Sequence, residues 1–127
     1  SPGWAVVHGD TLGAHAAATA ARAQGWPIAH VEAGLRSHQL RAPFPEEWLR
    51  RDISRMAQRH YAPTAQARRN LLAEGVPGAT IRVTGNTGID SLRRRLRATP
   101  PAAPRQMLLI ALHRRENQGW RLRAALA

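Results

Sequence analysis

The chain has 127 residues, 43% of them hydrophobic and 21% charged, which fits one folded domain or parts of two and excludes a disordered segment. It has no cysteine and no apolar run of membrane-spanning length, which excludes disulfides, thiolate sites and a transmembrane anchor and fits a reducing, cytoplasmic setting. The formal net charge of +11 comes wholly from arginine, and because the arginines are scattered over most predicted elements, an anionic-ligand site is favoured over a nucleic-acid-binding face.

The apolar run Trp4–His8 reads as a buried strand. Gly9, Asp10 and Thr11 lead into an alanine-rich helix from about Leu12 to Gln24; Asp10 or Thr11 can cap it, and Gly25 can end it. Pro27–Val31 reads as the central strand, followed at once by Glu32, Ala33, Gly34, Leu35 and Arg36. Pro45 suits the first position of a helix running to about Met56, with Glu46 and Glu47 in its acid-favouring first turn.

A short strand at Arg59–Ala62 then leads through the turn and cap Pro63-Thr64 to a helix over Ala65–Glu74, stopped by Gly75 and Pro77. The β-branched run Thr80–Thr84 predicts another strand, and Gly85, Asn86 and Thr87 open a helix from about Ile89 to Arg97. Residues 98–104, rich in proline and alanine, have linker composition and mark a domain boundary. Beyond them Met107–Ala111 reads as a strand running into His113, Arg114, Arg115, Glu116 and Asn117, with a last helix near Trp120–Ala127.

Strands alternate with helices throughout, which predicts an α/β fold with a parallel, Rossmann-like sheet and right-handed crossovers. In such a sheet the carboxyl ends of the strands share one edge, where ligands bind. Five polar clusters, HGDT, HVEAGLR, APT, TGNT and HRREN, each fall just after a strand. The first four are expected to line one edge and the fifth to face them from a second domain. Both ends of the chain read as cut, so a segment of a larger two-domain protein, marginally stable alone, is expected.

Asp10 and Glu32 follow strands and can reach one cleft, Glu46 can fold over it, and His113 approaches from the opposite wall. Arg36, Arg50, Arg114 and Arg115 offer positive charge for a phosphate or diphosphate. Acids and bases around one cleft suit proton transfer beside an anionic leaving group. Plainer roles stand beside these: Asp10 as a helix cap, Glu46 and Glu47 as partners of the helix dipole, and Glu32 as a solvated acid with Arg36 as its surface partner. His113 can be a loop histidine, the Arg93–Arg95 run a wet helix face, and Asn86, otherwise a candidate substrate contact, part of a structural turn. The six histidines lack metal-ligand spacing, and no glycine-rich dinucleotide loop or P-loop occurs, so neither metal nor cofactor is expected.

Taken in order, HGDT, HVEAGLR, FPEE with an arginine four residues after its first Glu, YAPT, NLLAEGVP, VTGNT-x-ID and HRREN resemble the non-hydrolysing UDP-N-acetylglucosamine 2-epimerases from about Val6 to Gly119. The resemblance implies a two-domain glycosyltransferase-B-type fold. Residues 1–97 would form the second half of its amino-terminal Rossmann-like domain, 98–105 the linker and 106–127 the start of the carboxy-terminal domain. It implies interconversion of UDP-N-acetylglucosamine and UDP-N-acetylmannosamine through elimination of UDP to 2-acetamidoglucal and re-addition with inversion at C2. Motif by motif, the family's acid/base carboxylates fall on Asp10, Glu32 and Glu46, its histidine beside the diphosphate on His113, and a helix arginine on Arg50.

Substrate binding is then expected at Arg36, Arg50, Arg114, Arg115 and Asn86, and a homodimer without membrane or nucleic-acid partners is expected of the full-length protein. One departure is Leu49, where the family usually has Asn. The family's amino-terminal basic residues, part of its regulatory site, the uridine pocket and a later phosphate loop fall outside the 127 residues, so the chain alone is expected to be inactive. Two readings from other classes stand against this one: a glycosyltransferase-like enzyme acting on nucleotide sugars, and a basic nucleic-acid-binding module. A degenerate remnant is a third.

Overall fold

A computed structural model of the chain describes residues 3–38 and 44–98. The chain divides into two units, Ser1–Arg97 and Ala98–Ala127, and the description concerns the first, with its last helix running on to Ala98. The expected linker, the strand Met107–Ala111, the last helix and the residues His113, Arg114 and Arg115 lie outside the described residues.

The order is β1 (Ala5–His8), α1 (Leu12–Ala23), β2 (Ile28–Val31), α2 (Glu46–Met56), β3 (Arg59–Ala62), α3 (Ala65–Ala73), a 3-10 turn (Gly78–Thr80), β4 (Ile81–Val83) and α4 (Thr87–Ala98). The four strands are parallel and neighbour one another in sequence order, β1-β2-β3-β4. The register sets Val7, His30, His60 and Ile81 in one row across the sheet, so all four point to the same face. Helices α1, α2 and α3 all pack on that face, as successive right-handed crossovers between adjacent strands require. On the other face Val6 is 66% exposed.

Two apolar clusters lie under the helices. Val7, Ala18, Ile28, Ile53 and Met56 join β1 and β2 to α1 and α2, while Ala33, Ala62, Ala67, Leu71 and Ile81 join β3 and β4 to α3. The row that begins at Val7 and ends at Ile81 holds two buried histidines between them, His30 and His60.

Local chemistry sets the ends of the elements. The Thr11 hydroxyl caps α1 by accepting the Ala14 N–H at 3.1 Å, and Thr64 caps α3 from Ala67 at 3.0 Å. Asp10 is therefore not needed as a cap and is free for other work. Pro45 occupies the cap position of α2 rather than its first helical residue. Thr80 belongs to the 3-10 turn instead of β4, because both its N–H and its hydroxyl bond the Pro77 carbonyl, at 2.9 and 2.8 Å. Helix α4 starts at Thr87, two residues before the expected Ile89: the Asn86 side chain accepts the Gly88 N–H at 2.8 Å, and its carbonyl accepts from Ile89 and Asp90. Among the described residues no helix is long and apolar enough to cross a membrane.

Candidate active site

The ends of β1, β2 and β4 meet at one edge, as the parallel order demands. Gly9 leaves β1 with φ of 75°, and the turn presents Asp10. The Asp10 carboxylate accepts a charge-assisted hydrogen bond from Arg50 Nη2, reached from one turn inside α2. Arg50 Nη1 also donates to the Leu35 carbonyl at 3.2 Å, so one guanidinium ties the exits of β1 and β2 to α2.

Glu32 leaves β2 in the left-handed region, at φ of 66°. For a residue with a side chain this conformation costs roughly 1–3 kcal/mol and persists only where surroundings impose it. Glu32 Oε2 stands 3.3 Å from His8 Nε2, and its Oε1 accepts from Asn86 Nδ2 at 3.4 Å. A Cβ placed on Gly9 would lie 3.7 Å from Glu32 Oε2, so the Glu32 carboxylate sits directly over the residue before Asp10. His8, Glu32 and Asn86 border a cleft of about 60 Å³. Asp10, Glu32, Arg50 and Asn86 are thus drawn to one edge.

Glu46 starts α2, one turn before Arg50; its Oε2 is buried with no hydrogen-bond partner among the described residues, as is Arg50 Nε. No hydrogen bond joins Glu46 to Asp10 or Glu32 among the described residues. Arg36 points into the scaffold. Its side chain is 1% exposed, and Nε and Nη2 grip both oxygens of Glu74 at 2.8 and 2.7 Å. Its carboxylate partner is therefore Glu74 at the end of α3, not Glu32, and the contact is buried on the arginine side rather than solvated.

By sequence alone Glu47 reads as a helix-dipole acid, yet it is fully buried and is the centre of this scaffold. It accepts from the Ser37 N–H at 3.0 Å and Arg51 Nε at 3.0 Å, with Arg50 Nη1 at 3.5 Å and Arg36 Nε at 3.9 Å. Burial pushes its carboxyl up, but the Ser37 amide and the arginines outweigh burial and hold it below the usual range. The Arg36 fork does the same for Glu74. The signal available in the sequence was an acid with arginines three and four residues on, at Arg50 and Arg51. Glu47→Ala should lower stability by about 3–5 kcal/mol, because three guanidinium groups lose a buried counter-charge; denaturant unfolding measures it.

His30 is buried, with Nε2 2.9 Å from the Gly9 carbonyl and Nδ1 3.2 Å from Ser54 Oγ. Burial, assisted by the charges of His60, Arg36 and Arg50, lowers its pKa to about 4 despite the Gly9 carbonyl. The unfolded chain takes up this proton near the ordinary value of 6.5, whereas the folded chain does so only near 4. Stability from this group is therefore intact above pH 6.5 and falls through the window down to about pH 4, by about 3 kcal/mol in all. Urea midpoints measured between pH 7 and 4 should fall accordingly, and His30→Gln should flatten the upper part of that slope. Glu47 and Glu74 act in the same direction at lower pH, as each loses its charge.

Residues 1–126 match the sequence profile of a family described as UDP-N-acetylglucosamine 2-epimerase. The chain belongs to this family. A UDP-N-acetylglucosamine 2-epimerase from Neisseria meningitidis serogroup A is 42% identical over 132 aligned residues, covering 93% of this chain and 36% of the relative. The Bacillus subtilis epimerase is 41% identical, covering 93% and 33%. The chain thus spans about a third of the length of these epimerases.

Among solved structures, the Neisseria meningitidis 2-epimerase bound to UDP-GlcNAc superposes with a TM-score of 0.72 at 46% identity, over 75% of this chain and 26% of that one. The Methanocaldococcus jannaschii 2-epimerase, in complex with UDP-GlcNAc and UDP, gives 0.70 at 39% identity, over 75% and 26%. The four-stranded parallel sheet is the Rossmann-like α/β architecture of these epimerases, whose fold is of the glycosyltransferase-B type.

Proposed function

We propose that this chain carries the amino-terminal acid–base side of a UDP-N-acetylglucosamine 2-epimerase, acting on UDP-N-acetylglucosamine and UDP-N-acetylmannosamine. The observation that carries the reading is the Glu32 carboxylate over Gly9, the residue before Asp10, with Arg50 on Asp10, in a chain of this family.

The chemistry explains why such a cluster is useful. The sugar C2–H has no neighbouring carbonyl to acidify it, so simple removal and return of the proton is disfavoured. Elimination avoids the difficulty: a base takes the C2 proton, the C2–H electrons form the C1–C2 double bond, and the C1–O bond breaks with its electron pair leaving on UDP. The product, 2-acetamidoglucal, then takes a proton at C2 on the other face while a UDP oxygen re-forms the bond to C1. Two proton-handling groups and a cationic hold on the departed diphosphate are required. Asp10, Glu32 and Glu46 are the proton-handling candidates. His113 is assigned to the diphosphate side on the family motif, Arg114 and Arg115 join it there by their charge alone, and Asn86 and Arg50 order the acids. Arg36 acts from behind, by holding the loop after β2 to α3 through Glu74.

The test is an epimerase assay on a chimera, in which residues 5–98 replace the matching segment of the Neisseria meningitidis relative. The chimera should interconvert the two UDP-sugars, whereas the 127-residue chain alone should show no turnover. A folded chimera with no epimerase activity would contradict the proposal.

A further inference from the structure

We propose that Ser54 is a positioning residue for this site: bridging His30 and His60, it fixes helix α2 against the sheet so that Arg50 meets Asp10. The geometry is independent of the reaction; that it serves proton transfer rests on the epimerase reading above.

Helix α2 holds Glu46 and Arg50, and the site depends on how this helix is set along and around its axis. Its apolar anchors are Leu49, Ile53 and Met56, all buried. Apolar contacts are non-directional. A slip of one residue along the helix moves a side chain by about 1.5 Å and rotates it by roughly 100°, which would carry Arg50 away from Asp10. Something directional must exclude that slip.

Ser54 supplies it. The residue is 3% exposed and lies one turn beyond Arg50, on the same side of the helix. Its carbonyl accepts from His60 Nε2 at 2.8 Å, and its hydroxyl is 3.2 Å from His30 Nδ1. The opposite nitrogen of His30 stands 2.9 Å from the Gly9 carbonyl, which can only accept. The His30 proton is therefore on Nε2, Nδ1 accepts, and the Ser54 hydroxyl donates. On the far side, His60 Nδ1 lies 3.2 Å from Thr80 Oγ1, just before β4.

These contacts close a ring. Gly9 is bonded to His30, His30 to Ser54, Ser54 leads by one helical turn to Arg50, and Arg50 returns to Asp10, the neighbour of Gly9. A ring of directional bonds fixes the Asp10–Arg50 contact from both sides. His30, with both ring nitrogens hydrogen-bonded, stands between the two apolar clusters, where a polar group is tolerated only if its atoms are satisfied.

The test is NMR on the full 127-residue chain with labelled histidine, arginine and aspartate. In the wild type, long-range proton–nitrogen spectra should show His30 as the neutral Nε2–H tautomer. Ser54→Ala should move the Asp10 carboxyl carbon signal and abolish the slowly exchanging guanidinium signal of Arg50, and Ser54→Thr should restore both. Ile53→Val, which loosens the same helix without touching the ring, should lower stability and leave both signals in place. The proposal is overturned if folded Ser54→Ala keeps both signals, if Ile53→Val perturbs them equally, or if wild-type His30 is the Nδ1–H tautomer. Should Ser54→Ala fail to fold, the wild-type tautomer and Ser54→Cys, with its weaker donor and similar size, decide by the same signals.

Discussion

Gly34→Ala should destabilise the chain by about 3–5 kcal/mol, a large share of the roughly 5–15 kcal/mol that holds a typical domain folded. Gly34 has φ of 84°, where an added side chain is strained whatever the space around it. Here there is also no space: a Cβ would lie 2.3 Å from the Ala67 carbonyl oxygen, 2.9 Å from its carbon and 2.8 Å from Leu71 Cγ. The first two are helix backbone, which cannot swing aside. The exit of β2 is pressed onto α3 at this point, and Asn70 Nδ2 holds the Gly34 carbonyl there at 2.9 Å.

Gly25 supplies the comparison. It has φ of 71° but nothing within 4 Å of an added Cβ. Gly25→Ala should therefore cost only the backbone strain, about 1–2 kcal/mol. Denaturant titrations of both variants separate the clash from the strain. Equal losses in the two would mean that β2 does not pack onto α3 as described.

The second large effect is on turnover. In the active chimera, Glu32→Gln should lower kcat by about a hundred- to ten-thousand-fold with little change in KM, since the amide keeps the shape but cannot exchange the proton. The fold should be almost untouched. Glu32 is partly exposed, glutamine has the same backbone preference, and its amide can still reach Asn86 and His8. Asp10→Asn should cost activity to a similar degree and some stability too, because Arg50 loses its charged partner. Steady-state kinetics beside thermal melts make the distinction; a Glu32→Gln chimera with wild-type kcat would remove Glu32 from the chemistry.

Over the described residues most of the fold was legible because its determinants are local. Thr11, Thr64, Gly25 and Gly75 punctuate the helices, and the apolar and β-branched runs mark the strands, as the sequence-based reading had them. The start of α4 was missed by two residues, since Asn86 is both a side-chain and a main-chain cap and its position in the turn decides which. The edge shared by Asp10, Glu32 and Asn86 followed from the strand–helix alternation, since in a parallel sheet every strand's carboxyl end falls on one edge.

What local pattern could not supply was direction. Arg36 and Glu47 were visible as charges, but nothing near Arg36 says that Glu74, some forty positions beyond it, will take it, and the local arginines Arg50 and Arg51 do not tell that Glu47 is buried or that Arg36 will join them. His30 and His60 were still less legible, because an imidazole within an apolar strand acquires its meaning only when a serine from the crossing helix arrives between two strands.

The proposed function has these carboxylates move a proton at C2 of a UDP-linked sugar. Its most direct test is to run the chimera in deuterium oxide and read C2 of the recovered UDP-sugars by proton NMR. Deuterium is expected at C2 in both UDP-N-acetylmannosamine and the returned UDP-N-acetylglucosamine, with the label lost in Glu32→Gln. Turnover that leaves protium at C2, or that passes the sugar to an acceptor instead, would contradict it.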